Sequence, residues 1–155
     1  MNLNIQQLHK NAKVPTYANP GDACFDLYAA TVADKEHIGQ IVYEGAPLVC
    51  GTGLAFEVPE GQVMLVFSRS GHGFKHDIRL ANCVAIIDPP YRGEVMVKLT
   101  CDAPDDGDVL PPYKVNPGDR IAQAMVIPVE RVSFTVVDAL SETARGTGGL
   151  GSTGK

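Results

Sequence analysis

Short apolar runs alternate with turn signals along this chain. Val49–Val58 stops at Pro59-Glu60-Gly61, and Gln62–Phe67 stops at the polar Ser68-Arg69-Ser70-Gly71. Val84–Ile87 runs into Asp88-Pro89-Pro90, and Glu94–Cys101 into Ala103-Pro104-Asp105-Asp106-Gly107. Lys114-Val115 precedes Asn116-Pro117-Gly118-Asp119, Ile121–Val129 closes near Pro128, and Arg131–Val137 follows. The runs are rich in Val, Ile and Phe, and many alternate with period two, as half-buried strands do. They predict an all-β domain: a sandwich, jelly roll or barrel. The best helix candidate is Ala30–His37, because Arg69–Ile78 lacks an apolar stripe at helical spacing. After Leu140 the only large apolar residue is Leu150, and glycines crowd the end. The organisation expected is a β domain over 1–140 and a mobile tail over 141–155.

Composition changes this picture little. The 155 residues carry no long linker, so one domain is expected. A net charge of −5 argues against bulk electrostatic binding to nucleic acid, but leaves room for a locally basic site for a small anion. Cysteines 24, 50, 83 and 101 form no Cys-x-x-Cys pair and no zinc spacing. Cys50 and Cys83 lie in apolar runs and are expected to be buried as small hydrophobes. The N-terminus is polar and no apolar run approaches membrane-spanning length, so a reducing, cytoplasmic setting is expected.

Five stretches carry candidate chemistry. The tail, Arg145-Gly146-Thr147-Gly148-Gly149-Leu150-Gly151-Ser152-Thr153-Gly154-Lys155, combines backbone freedom, a guanidinium and two hydroxyls, which suits a lid over phosphates. Its Gly149–Lys155 mimics the start of a P-loop, but lacks the strand before it and the Ser/Thr and helix after the lysine. Arg69-Ser70-Gly71 follows an apolar strand and offers donors to phosphate oxygens. Gly118-Asp119-Arg120-Ile121-Ala122-Gln123 opens another strand; Asp119 and Arg120 can pair, and Gln123 can donate to an anion. In Asn82–Gly93, a strand enters a turn with a carboxylate at Asp88 and an aromatic at Tyr91, where an acid can align and deprotonate a water. Asp26 sits between apolar neighbours in Ala23-Cys24-Phe25-Asp26-Leu27 and needs a partner: an Arg, a backbone donor or metal-bound water.

Together, in this order, the stretches resemble the five motifs of the trimeric dUTPase family, from Ala23 to Lys155. The fourth, Gly118–Gln123, is unaltered; the others depart at Cys24 (usually Gly), His72 (usually Leu), Pro89-Pro90 (usually Ser and an acidic or polar residue) and Leu150 (usually Phe). The resemblance implies a jelly-roll or distorted-barrel homotrimer with a flexible glycine-rich tail, and sites shared by three chains. The first, second and fourth motifs would come from one subunit, the third from another and the tail from the third. The implied reaction is Mg²⁺-assisted hydrolysis of dUTP to dUMP and pyrophosphate, limiting uracil in DNA and supplying dUMP. Asp88 would activate the water, and Asp26 would hold a water on Mg²⁺. Arg69, Ser70, Gly71, Gln123, Arg145, Ser152 and Thr153 would contact phosphates. Asn82, Ile87, Tyr91 and Leu150 would surround uracil and deoxyribose. Two other readings compete. A dCTP deaminase of the same fold shares Ile87-Asp88-Pro89, but it needs a Glu where this chain has Lys98 and prefers Arg-Ser-Ser to Arg69-Ser70-Gly71. A nucleotide-gated interaction protein would use the acidic Cys101–Tyr113 loop.

Overall fold

The computed structural model describes residues 1–33, 40–42, 47–102 and 112–149. Twelve strands and one short helix follow in order. They are β1 (Asn4–Gln7), β2 (Phe25–Tyr28), β3 (Thr31–Ala33), β4 (Gln40–Val42), β5 (Leu48–Gly51) and β6 (Leu54–Glu57). After these come β7 (Gln62–Phe67), α1 (Ser70–His76), β8 (Ile78–Leu80), β9 (Val84–Ile87), β10 (Met96–Cys101), β11 (Tyr113–Val115) and β12 (Arg120–Pro128). Two four-stranded sheets, β2-β12-β7-β9 and β3-β5-β10-β8, dominate, beside the pairs β1-β6 and β11-β4. Every pairing is antiparallel. The all-β expectation therefore holds.

Period-two patterning decides what each strand buries. Along β10, Val97, Leu99 and Cys101 point inward while Met96 and Lys98 face out. Leu27, Met64, Val66, Ile121 and Ala124 join them in one apolar core. Burying a side chain such as Leu27 or Met64 stabilises the fold by roughly 1.5–3 kcal/mol relative to leaving it exposed. The longest strand, β12, lies between β2 and β7, and a bulge between Arg120 and Ala122 shifts its register against β2.

Four local expectations need correction. The run Val49–Val58 is two strands. Thr52 is buried and donates its hydroxyl to the Val95 carbonyl at 2.7 Å, and Gly53 takes φ +67°. A Cβ at Gly53 would lie 2.9 Å from the Cβ atoms of His9, Ala12 and Ala30, so only glycine lets the chain turn there. The helix proposed over Ala30–His37 gives way to β3, where the β-branched Thr31 and Val32 pair with β5; positions 34–37 lie outside the described residues. The helix that does form is α1. It buries only His72, so it leaves no apolar stripe, and Asp77 in the left-handed region closes it with an N–H···O bond to Gly73. Cys83 is exposed because it occupies the turn before β9, at φ +62°, whereas Cys50 is buried as expected.

Arg131–Val137 forms no strand. Phe134 is 92% and Val136 99% exposed. No strand among the described residues pairs with this segment, so its alternating apolar side chains stay uncovered by them.

Candidate active site

β12 aligns three of the five motifs. Across β2, Gln123 is the register partner of Asp26; across β7, it is the partner of Phe67, just before Ser68-Arg69-Ser70. Gln123 Nε2 donates to the Ser68 carbonyl at 2.9 Å, and the Leu80 amide donates to Ser68 Oγ at 2.9 Å. These bonds hold the end of β7 where the chain enters α1.

The Asp26 side chain is 13% exposed and has two cationic partners. Arg69 Nε lies 3.3 Å from Oδ1, and Arg120 Nη1 lies 3.2 Å from Oδ2. Arg69 Nη1 also donates to the Arg120 carbonyl at 3.3 Å. A carboxylate so far removed from water needs this compensation. The partner expected for Asp26 is thus an arginine, twice over. Asp119 does not pair with Arg120. Its Oδ2 accepts from the Asn116 amide at 2.8 Å and from Asn116 Nδ2 at 3.2 Å, closing the turn and leaving Arg120 for Asp26. A cleft of about 330 Å³ opens here, lined by Cys24, Asp26, Arg69, Ser70, Arg120 and Gln123 among others. Its two guanidiniums, Arg69 and Arg120, are balanced by Asp22 and Asp26, and they bring fixed N–H donors that suit phosphate oxygens.

The second place is the turn after β9. Ile87 is buried and anchors it, while Asp88 is exposed. The Tyr91 amide donates to the Asp88 carbonyl at 3.1 Å, and the Tyr91 hydroxyl donates to the Glu94 carbonyl at 2.9 Å. Gly93 makes room for the tyrosine: a Cβ there would come within 3.0 Å of three of its atoms. The Asp88 carboxylate has no hydrogen-bond or ion-pair partner among the described residues. A pocket of about 250 Å³ beside it is walled by Ile86, Ile87, Tyr91 and Met96. A larger cavity, about 910 Å³, reaches the other side of the same turn but is lined mostly by apolar residues such as Val58, Val63 and Leu65. Asn82 is exposed at the preceding turn, its carbonyl accepting from the Val84 amide at 2.7 Å. The Asp26 cleft and the Asp88 pocket share no lining residue.

The described residues of the tail, 141–149, line neither place. Arg145 is exposed and donates from Nε to the Gly148 carbonyl at 2.8 Å. Leu150, Ser152 and Thr153 lie outside the described residues, as does most of the Cys101–Tyr113 loop.

His72 was visible in the sequence only as a departure from leucine. It is 4% exposed, its Nδ1 has no hydrogen-bond partner, and its Nε2 lies 3.4 Å from the Tyr113 hydroxyl. Burial, reinforced by Arg69 and His76, pushes its pKa down to about 4. The imidazole is therefore neutral at neutral pH.

The described residues contain no cluster of three or more His, Cys, Asp or Glu side chains able to cage a metal. Asp26 offers one carboxylate, already shared by two arginines. That donor set fits a magnesium ion that arrives on phosphate oxygens and keeps its waters, rather than one held by the chain alone.

Comparison with known proteins agrees with this geometry. The dUTPase family profile matches residues 10–154. A deoxyuridine 5'-triphosphate nucleotidohydrolase of Picosynechococcus sp. is 39% identical over 155 residues, covering 99% of both chains. Another, from Desulfitobacterium hafniense, is 42% identical over 146 residues, covering 94% of this chain and 89% of its own. Among solved structures, a dUTPase of Staphylococcus bacteriophage 80alpha with dUpNHpp aligns with a TM-score of 0.83 at 25% identity, covering 99% of both chains. A dUTPase from phage phi11 of S. aureus, described as coordinating a structural Mg(II) ion, shares the fold with a TM-score of 0.74 at 23% identity, covering 90% of this chain and 98% of its own. With its fold, its five motifs and its full-length relatives in agreement, this chain belongs to the dUTPase family.

Proposed function

We propose that this protein hydrolyses dUTP to dUMP and pyrophosphate, with Asp88 activating the attacking water. The observation that carries the reading is the contrast between an Asp26 held by two arginines and an Asp88 left free beside an apolar pocket. A carboxylate without a partner among the described residues has both oxygens open to align a water and take its proton, whereas both oxygens of Asp26 face guanidiniums. In this reading Arg69, Ser70, the Gly71 amide and Gln123 hold the phosphates. Asn82 and the backbone up to Tyr91 read the uracil edge, and the Tyr91 ring fills the space of a 2′-hydroxyl. A Mg²⁺ ion on the triphosphate, held through one of its waters by Asp26, would neutralise charge developing on the phosphates.

The active unit is a homotrimer. Two features support this: the phosphate cleft and the Asp88 pocket are separate within one chain, and Phe134, Val136 and Leu140 lie bare on its surface. Residues 1–140 form the β domain, and 141–155 close over the β- and γ-phosphates through Arg145, Ser152 and Thr153, with Leu150 covering the base. No helix among the described residues is long and apolar enough to cross a membrane, and the cytoplasm is the compartment proposed for the enzyme.

The deaminase reading is weaker. The position that would need its acid is Lys98, exposed on β10 away from the core. Incubation of the purified protein with dUTP, dCTP, dTTP or UTP plus Mg²⁺ decides the matter. Pyrophosphate release from dUTP alone is expected; silence with dUTP, or ammonia from dCTP, would overturn the proposal.

A further inference from the structure

Two other aspartates at turns, Asp22 and Asp119, are each held by the amide three residues before. Asp22 accepts from the Asn19 amide at 2.7 Å, and Asp119 accepts from the Asn116 amide at 2.8 Å. Asp88 is followed by Pro89 and Pro90, which have no N–H to offer, so the usual anchor of a turn aspartate two residues on is missing. The prolines fix their own φ and the Tyr91 amide closes the turn on the Asp88 carbonyl, but the turn must also be tied to the rest of the fold.

Arg92 does this. Its Nη1 donates to the Pro89 carbonyl and, at 2.9 Å, to the Tyr91 carbonyl. Its Nη2 lies 3.5 Å from Glu57 Oε1 on β6, and Glu57 Oε2 accepts from Asn4 Nδ2 on β1 at 2.7 Å. One planar guanidinium thus bridges two carbonyls of the Asp88–Tyr91 turn to a carboxylate on the β1-β6 pair. It touches the carboxylate of Asp88 nowhere.

We infer that Arg92 is a positioning residue: it fixes the turn backbone so that Asp88 and Tyr91 are aimed while the Asp88 carboxylate stays unengaged. Lysine cannot replace it, because a single ammonium cannot span two carbonyls and a carboxylate in one plane. Diproline offers no amide two residues on to tie up the Asp88 carboxylate, and Arg92 ties the Pro89 and Tyr91 carbonyls to Glu57 on β6. The inference rests on the roles proposed for Asp88 and Tyr91.

The test uses the full-length enzyme with dUTP and UTP. Arg92→Ala should lower kcat by about 30- to 100-fold, the scale expected for slight misplacement of a catalytic group, with KM changed less than threefold. Its preference for dUTP over UTP should fall several-fold, because Tyr91 loses its support. Arg92→Lys should remain close to Arg92→Ala, and millimolar methylguanidine should recover part of kcat in the alanine variant only. Asp88→Asn is measured alongside. An active Asp88→Asn enzyme would sink the role of Asp88, and this inference with it. If Asp88→Asn is inactive while Arg92→Ala keeps kcat within twofold, the latch alone is overturned. The latch also fails if activity is lost in step with melting temperature, without methylguanidine rescue and with UTP still rejected.

Discussion

The two acidic centres of this chain are built on opposite principles. Around Asp26, charge is cancelled: a mostly buried carboxylate lies between Arg69 and Arg120. Around Asp88, charge is left open: an exposed carboxylate at the end of β9 has no partner among the described residues. A region that must hold an anionic substrate gains from preset counter-charges, which need little rearrangement when the phosphates arrive. A region that must accept a proton gains from the reverse. In the proposed reading, the same residue type serves two roles because its partners differ.

The sharpest way to break this contrast is Asp88→Asn. It should lower kcat by at least about 10³-fold with a much smaller change in KM, as loss of a general base does; near-normal turnover would remove the distinction. Deleting 145–155 comes next. Loss of the donors proposed to close over the phosphates should cost about 10²-fold in kcat/KM. Melting temperature should barely move, since Arg145 bonds only within the tail among the described contacts; a large thermal shift would make the tail structural. Asp26→Asn should lower kcat about tenfold, the range seen when support of a metal is removed. Its KM should hold or fall, because Arg69 and Arg120 are then less neutralised, and an unchanged kcat would reduce Asp26 to a clamp for the arginines.

Two smaller effects sharpen the picture further. His72, on the helix that follows Arg69, has its folded pKa lowered from 6.5 to about 4 by burial first and nearby cations second. The unfolded chain therefore binds more protons between those values, and stability falls as pH drops through that window. Between pH 7 and pH 5 the loss is about 2 kcal/mol by linkage. Thermal melts at the two pH values should show it, and His72→Leu should flatten that part of the pH dependence; an equal slope in the variant would assign it elsewhere. Last, Leu150→Phe should lower KM for dUTP about threefold through added stacking on the base. An unchanged or higher KM would remove Leu150 from the uracil site.

Much of this was legible in the sequence. β7 and β9 begin and end where alternation and turn residues say, because one face of each strand packs on the core. Asp26 announced its need for a partner by sitting between apolar neighbours. What escaped was set by context beyond the local pattern. α1 has no apolar stripe because it buries a single histidine. Arg131–Val137 carries the alternation of a strand but pairs with no strand among the described residues. By sequence Arg120 can pair with its neighbour Asp119, whereas the fold brings it to a residue 94 positions away. Arg92 gave no signal, since its role depends on the carbonyls of a turn and on a carboxylate brought alongside by β6.

Gln123 sits in the middle of β12, facing Asp26 on one side and Phe67 on the other. Its position relative to both is therefore set by strand register, which changes only in whole residues. A single-residue slip would turn the side chain to the opposite face, and a slip of two would carry it about 7 Å along the strand. Nothing between those steps is available, so the spacing of Gln123 from Asp26 and Phe67 cannot drift by small mutations. Sequence change that tunes affinity is left to the periphery, where side chains can be exchanged without moving the ruler.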